Sequence, residues 1–279
     1  MSTLPLHLQT SRMNHSCPNT TRLIEQKINA LLHSRRIKEN LTYAGISVEK
    51  YDWFKEGYRR LQYSIYELDV YGESYWDIQD STIGLFWDEI YNHLQFFEIK
   101  SERLDPVLCN MRSYQAIEID QRNGELSLEI PLHTIYHLKA CDVRLTRSII
   151  FELGNPPSSR LLAMWNYFDL ISEVCDDLAD IVEDSLTHNY NRFLIESALH
   201  GGAHVKRIYR DLIRKLELDA LHLLSQVSLD DRSASKEIYK WVYHQARIAE
   251  SLLELSRRSP ASRHSIRSDN RQDIYTMVI

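Results

Sequence analysis

Apolar residues recur along this chain at the three- and four-residue steps of an α-helix. Leu23, Ile24, Ile28, Leu31 and Leu32 form a first stripe, and Val48, Tyr51, Phe54, Tyr58, Leu61, Ile65 and Leu68 form a second over about 47–70. An aromatic-rich run with Phe86, Trp87, Tyr91, Phe96 and Phe97 makes a third over about 80–99. The period then breaks. Ile117, Ile119, Leu126, Leu128 and Ile130 alternate with polar residues around Asn123-Gly124, which predicts a small β-hairpin near 115–130. Helical spacing resumes over 132–153 and stops at Gly154-Asn155-Pro156-Pro157. Ser158 or Ser159 caps the next helix, about 159–184. Beyond His200-Gly201-Gly202 come two more stripes, Ile208, Leu212, Leu216 and Leu223, then Ile238, Trp241, Val242, Ala249, Leu252 and Leu253. The pattern predicts a single all-α domain over 19–256, with about seven or more helices and the one hairpin.

The flanks lack this periodicity. Residues 1–18 are polar and read as a flexible segment, and 257–279, with five Arg, read as a flexible basic tail. Composition supports the helical reading: only 8 Gly and 7 Pro occur in 279 residues, too few for the many turns of a sandwich or a doubly wound sheet. The 33 basic against 39 acidic residues give a net charge of −6, which offers no general attraction for nucleic acid. The four cysteines form no CxxC pair, no apolar run approaches a membrane span, and the N-terminus lacks a basic head followed by an apolar core. A cytoplasmic protein is the expectation.

The most informative stretch runs from Phe168 to Asp184. There is no Lys or Arg between Leu161 and Asn191, while Asp169, Glu173, Asp176, Asp177, Asp180, Glu183 and Asp184 crowd one region. Most recur at helical steps on one face, opposite Leu170, Val174 and Leu178. Like charges at i,i+4 destabilise a helix by about 0.2–0.5 kcal/mol per pair. A divalent cation relieves that repulsion, and Mg²⁺ prefers carboxylate oxygens. The plain alternative is a solvated acidic face.

Asp176-Asp177-Leu178-Ala179-Asp180 has the form DDxxD and resembles the aspartate-rich motif of the all-α class I isoprenoid synthases, the superfamily of polyprenyl diphosphate, squalene/phytoene and terpene synthases. The preceding Phe168-Asp-Leu-Ile-Ser-Glu-Val is similar to the run before the second such motif in polyprenyl synthases, and Glu183-Asp184 through Asn191-Arg192 to its squalene/phytoene counterpart. The resemblance implies a helical bundle around a central cavity, a Mg²⁺ cofactor and a prenyl diphosphate substrate ionised to an allylic cation. It assigns metal binding to Asp176, Asp177, Asp180 and Asp184, and diphosphate binding to Arg192. Arg144 and Arg147, at i,i+3 on the 132–153 helix, could join that clamp or be ordinary salt-bridged residues. Trp165 and Phe168 are the aromatics nearest the motif and are expected to line the cavity. An upstream partner motif would have to come from Glu67-x-Asp69, Asp77-x-x-Asp80 or Asp88-Glu89, none of which is a DDxxD.

Two HxxxH pairs, His133/His137 and His200/His204, have the spacing of a transition-metal site on a helix, but with 12 His in the chain such pairs arise by chance. Three functions remain open. One is a terpene synthase or prenyltransferase, in which a homodimer is allowed. Another is a non-catalytic protein of the same fold, a partner subunit or lipid binder. The third is a helical interaction module.

Overall fold

The computed structural model describes residues 18–74, 78–125, 127–187, 189–228 and 231–256. Of the two flanks expected to be flexible, 1–17 and 257–279 lie outside them, as do Asp77 and Leu126, whereas Pro18 begins the first helix. The described residues form α-helices and short 3₁₀ turns, with no strand among them. In chain order the helices are α1 (Pro18–Ser34), α2 (Ile37–Tyr43), α3 (Tyr51–Ser74), α4 (Asp80–Leu94), α5 (Asp105–Arg122), α6 (Leu132–Lys139), α7 (Cys141–Leu153), α8 (Ser159–Ala179), α9 (Ile181–Thr187), α10 (Arg192–His200), α11 (Gly202–Gln226) and α12 (Arg232–Leu255). No helix among the described residues is long and apolar enough to cross a membrane.

The hairpin is replaced by a helix end. Val107, Leu108, Met111, Tyr114 and Ile117 are buried along α5, so helical packing overrides the local alternation. Asn123-Gly124 stops α5 rather than reversing a strand. The Gly124 N–H donates to Gln121 O at 3.0 Å and the Glu125 N–H to Asp120 O at 2.9 Å, with Gly124 at φ 88°. That double bond is the Schellman arrangement, for which glycine is the favoured residue.

Two helices expected to be continuous are each broken once. The 132–153 segment divides at Ala140 (φ −73°, ψ 12°), between α6 and α7. The 159–184 segment divides at Asp180 (φ −94°, ψ 8°), between α8 and α9. Ser158 does cap α8, its hydroxyl accepting from the Leu161 N–H. Both breaks adjoin the residues of the acidic site.

The core has two parts. One joins α1–α5 with α7, through Phe54, Tyr58, Leu61, Ile90, Leu108, Leu145 and Ile149. The other surrounds α8 with α6, α10, α11 and α12, through Trp165, Ile171, Val174, Tyr209, Ile213, Ile238 and Val242. Each fully buried aliphatic side chain contributes roughly 1.5–3 kcal/mol of transfer free energy. Leu138 and Tyr190 pack against both parts, so the end of α6 and the start of α10 lie at their seam.

Candidate functional site

The DDxxD sequence sits at this seam, and its adjacent aspartates point in different directions. A helix turns about 100° per residue, so neighbours cannot share an environment. Asp177 is 1 % exposed, whereas the Asp176 side chain is 59 % exposed. The Asp177 carboxylate is fully engaged: Oδ2 accepts from the Tyr136 hydroxyl at 2.7 Å and the Arg192 backbone N–H at 3.1 Å, and Oδ1 accepts from Lys139 Nζ. Since Tyr136 gives its proton to Asp177, Tyr209 donates in the 2.8 Å contact between the two phenols. Asn191 completes the frame. Its Nδ2 donates to Asp177 O and to Asp184 Oδ2, both at 2.7 Å, while its Oδ1 caps α10 by accepting from the Leu194 N–H.

Lys139 bridges the two sides of the motif, with its ammonium 3.1 Å from Asp176 Oδ2 and also paired with Asp177. Burial opposes its charge, but Asp177 and Asp176 outweigh that and hold its pKa well above the ordinary lysine range. Burial pushes the Glu173 carboxyl well above its usual range; Asp176 and Asp142 act in the same sense and Lys139 against them. Asp142 in turn is paired with Arg35, which also donates to the Tyr58 hydroxyl at 3.2 Å.

Beyond Lys139 the balance of charge changes. Burial, followed by Asp176, Asp184 and Glu183, raises the Asp180 carboxyl to about 7. Burial also raises Asp184, against its hydrogen bond from Asn191 and the charge of Lys139. Asp176, Asp180 and Asp184 are hard oxygen donors at four-residue steps, the chemistry that suits Mg²⁺. Asp177 does not fit that role, because protein donors already occupy its oxygens. Among the described residues no three His, Cys, Asp or Glu side chains are gathered as a ready ligand set. The fit is therefore one of donor type and electrostatics.

The arginines do not converge on this stripe. Arg192 is 3 % exposed and spends its guanidinium internally, donating to the carbonyls of Ser127, Leu128 and Ile130 at 2.8–3.2 Å and to Glu196 at 2.8 Å. It fixes the segment after α5. Arg147 makes a bidentate pair with Asp169 at 2.6 and 2.7 Å and lies over the Trp165 ring. Arg144 donates to the His137 ring and carbonyl. Arg144 and Arg147 line a cavity of about 240 Å³ to which none of the four aspartates contributes. Trp165 and Phe168 are core residues, packed edge to face at 5.9 Å, and line neither this cavity nor a second of about 410 Å³ between α1 and α3.

Among the described residues neither histidine pair is joined by a third His, Cys, Asp or Glu as a metal ligand set, and the His137 Nε2 is in contact with Arg144. From another helix Asp142 bears on the buried Glu173 carboxyl, and Asp142 is not one of the upstream candidates. Lys139 and Tyr136 carry no local signal of their role, since they meet Asp177 across 38 and 41 residues of chain. Comparison with protein-family models, curated proteins and solved structures found no match.

Proposed function

We propose that the chain binds an allylic prenyl diphosphate through Mg²⁺ on its acidic stripe and promotes ionisation of that substrate, as a terpene synthase or prenyltransferase. The observation that supports this most is the placing of Asp176, Asp180 and Asp184 at four-residue steps beside the Lys139 ammonium, 3.1 Å from Asp176, where burial and the neighbouring acids also raise the Asp180 carboxyl to about 7. Such a group gains from any cation placed against it. When bound, Mg²⁺ would neutralise diphosphate oxygens as the allylic C–O bond breaks. Asp176, Asp180 and Asp184 would hold it. Lys139, already at the edge of the stripe, supplies a fixed positive charge for a diphosphate oxygen. Asp177 acts as a positioning residue that ties Lys139 and the start of α10 to α8.

The second reading, a non-catalytic protein of similar architecture, is favoured by Lys139 itself, whose ammonium already offsets both adjacent aspartates. Thermal unfolding with Mg²⁺ and inorganic diphosphate separates the two. Binding to the native state at a hundredfold excess over Kd adds about 2.7 kcal/mol of stability. A rise in Tm that needs both ions and is lost in Asp180→Asn is the expected result, followed by turnover of C10–C20 prenyl diphosphates. A rise without turnover favours the non-catalytic reading. No rise, or one retained in Asp180→Asn, overturns the stripe as the binding site.

A further inference from the structure

The cavity that holds Arg144 and Arg147 is a site of different character. It opens between the start of α5, the middle of α7 and the first half of α8. Its charges can be counted pair by pair. Asp169 is taken by Arg147 and Asp142 by Arg35, which leaves Arg144 with no ion-pair partner among the described residues. Arg144 is partly buried, and its two terminal nitrogens rest on an imidazole and a carbonyl rather than on a carboxylate. Burial, followed by the charge of Arg144, lowers the His137 ring to about 4, so His137 is neutral near pH 7 and adds no counter-charge. A guanidinium held out of bulk water without an anion is costly. Around it the cavity wall supplies the carboxamides of Asn110 and Asn166 and the hydroxyl of Ser148, all capable of donating hydrogen bonds. Val107, Phe151 and Leu162 supply an apolar side.

We infer that this cavity binds a small organic oxyanion, a carboxylate or phosphate monoester, with Arg144 as its counter-charge, Asn110, Asn166 and Ser148 as donors, and a short apolar body against Val107, Phe151 and Leu162. At about 240 Å³ the space falls below the roughly 300–1,000 Å³ of pockets for drug-sized ligands, so the ligand has only a few carbons. The site is separate from the acidic stripe and does not depend on the function proposed for it.

The test is an amide NMR titration of the full chain with two probes, inorganic phosphate and butyrate. Saturating shifts at Ser148 and Asn166 with either probe are expected, and the probe that binds tighter identifies the anion class. Arg144→Gln should weaken binding at least tenfold, while Asp180→Asn should leave it unchanged. Bound anion should also raise the pH midpoint of His137, because it offsets the neighbouring Arg144 charge; a purely structural Arg144 would not couple the two. Should Arg144→Gln fail to fold, Ser148→Phe fills the cavity instead and should abolish the shifts. No saturation with either probe in the wild type, or equal affinity in Arg144→Gln or in Ser148→Phe, overturns the assignment.

Discussion

Asp169 and Asp180 stand about 16 Å apart along one helical segment, at 1.5 Å per residue, and the fold treats them in opposite ways. Asp169 is 2 % exposed yet fully matched, with a two-pronged guanidinium on its carboxylate and Trp165 behind that guanidinium at 4.6 Å. Asp180 has neighbours of its own sign, and the ammonium that acts against them, Lys139, is already committed to Asp176 and Asp177. Burial alone therefore does not mark a functional acid. What separates the two is whether the protein supplies the opposite charge.

The comparison breaks most visibly at its closed end. Arg147→Met should cost about 3–5 kcal/mol, because it leaves the buried Asp169 carboxyl without its partner. Urea unfolding measures this, and the double variant Arg147→Met/Asp169→Leu should recover most of the loss. A single-variant cost under about 1 kcal/mol would mean that Asp169 behaves like a surface acid.

Asp177 belongs with Asp169 rather than with its motif neighbours. Asp177→Asn keeps the shape but removes the charge opposite Lys139 and turns an amide towards protein donors, so a loss of about 2–3 kcal/mol is expected. A smaller break at the same hub is Tyr209→Phe. It preserves the edge-to-face packing on Tyr136 and Phe193 and deletes one buried hydrogen bond, at about 1 kcal/mol. Denaturant midpoints for the two should fall in that order. A neutral Asp177→Asn would place Asp177 with the solvated acids.

How much of this could be read from the chain follows the same division between local and distant causes. The stripes of α3 and α12 were legible because their buried residues, such as Tyr58, Leu61, Ile65 and Leu68 or Ile238, Val242, Ala249 and Leu253, repeat at helical steps. The acidic stripe was legible for the same reason. Asn123-Gly124 misled because a glycine of positive φ ends a helix as readily as it turns a hairpin, and only the packing of Ile117 decides between them. The breaks at Ala140 and Asp180 involve neither Gly nor Pro, so composition could not announce them. Asp177 turns inward because Tyr136, Lys139 and the start of α10 wait there, and all three reach it from other helices. The role of Arg192 was likewise hidden, since it reaches backbone carbonyls far back in the chain, the one at Ser127 lying 65 residues earlier.

The smallest effect lies at the open end of the comparison and has the opposite sign. The Asp180 carboxyl titrates near 7 in the folded chain and near 4 when unfolded, as an ordinary aspartate does. Between those values the native state keeps a proton that the unfolded state has released. Stability from this group is therefore present in full below about pH 4, falls as pH rises towards about 7, and stays low above it. Asp180→Asn removes that slope. At pH 8 the variant should be more stable than wild type by about 1 kcal/mol, a value discounted for partial exposure, or about 2–4 °C in Tm. Other raised acids, Glu173 among them, tilt both proteins alike, so the wild-type-minus-variant difference isolates Asp180. Thermal scans at pH 5 and pH 8 suffice to measure it. A difference that does not grow with pH would remove the electrostatic crowding on which the contrast with Asp169 rests, whereas one that grows and then disappears on adding Mg²⁺ would show a cation doing at Asp180 what Arg147 does at Asp169.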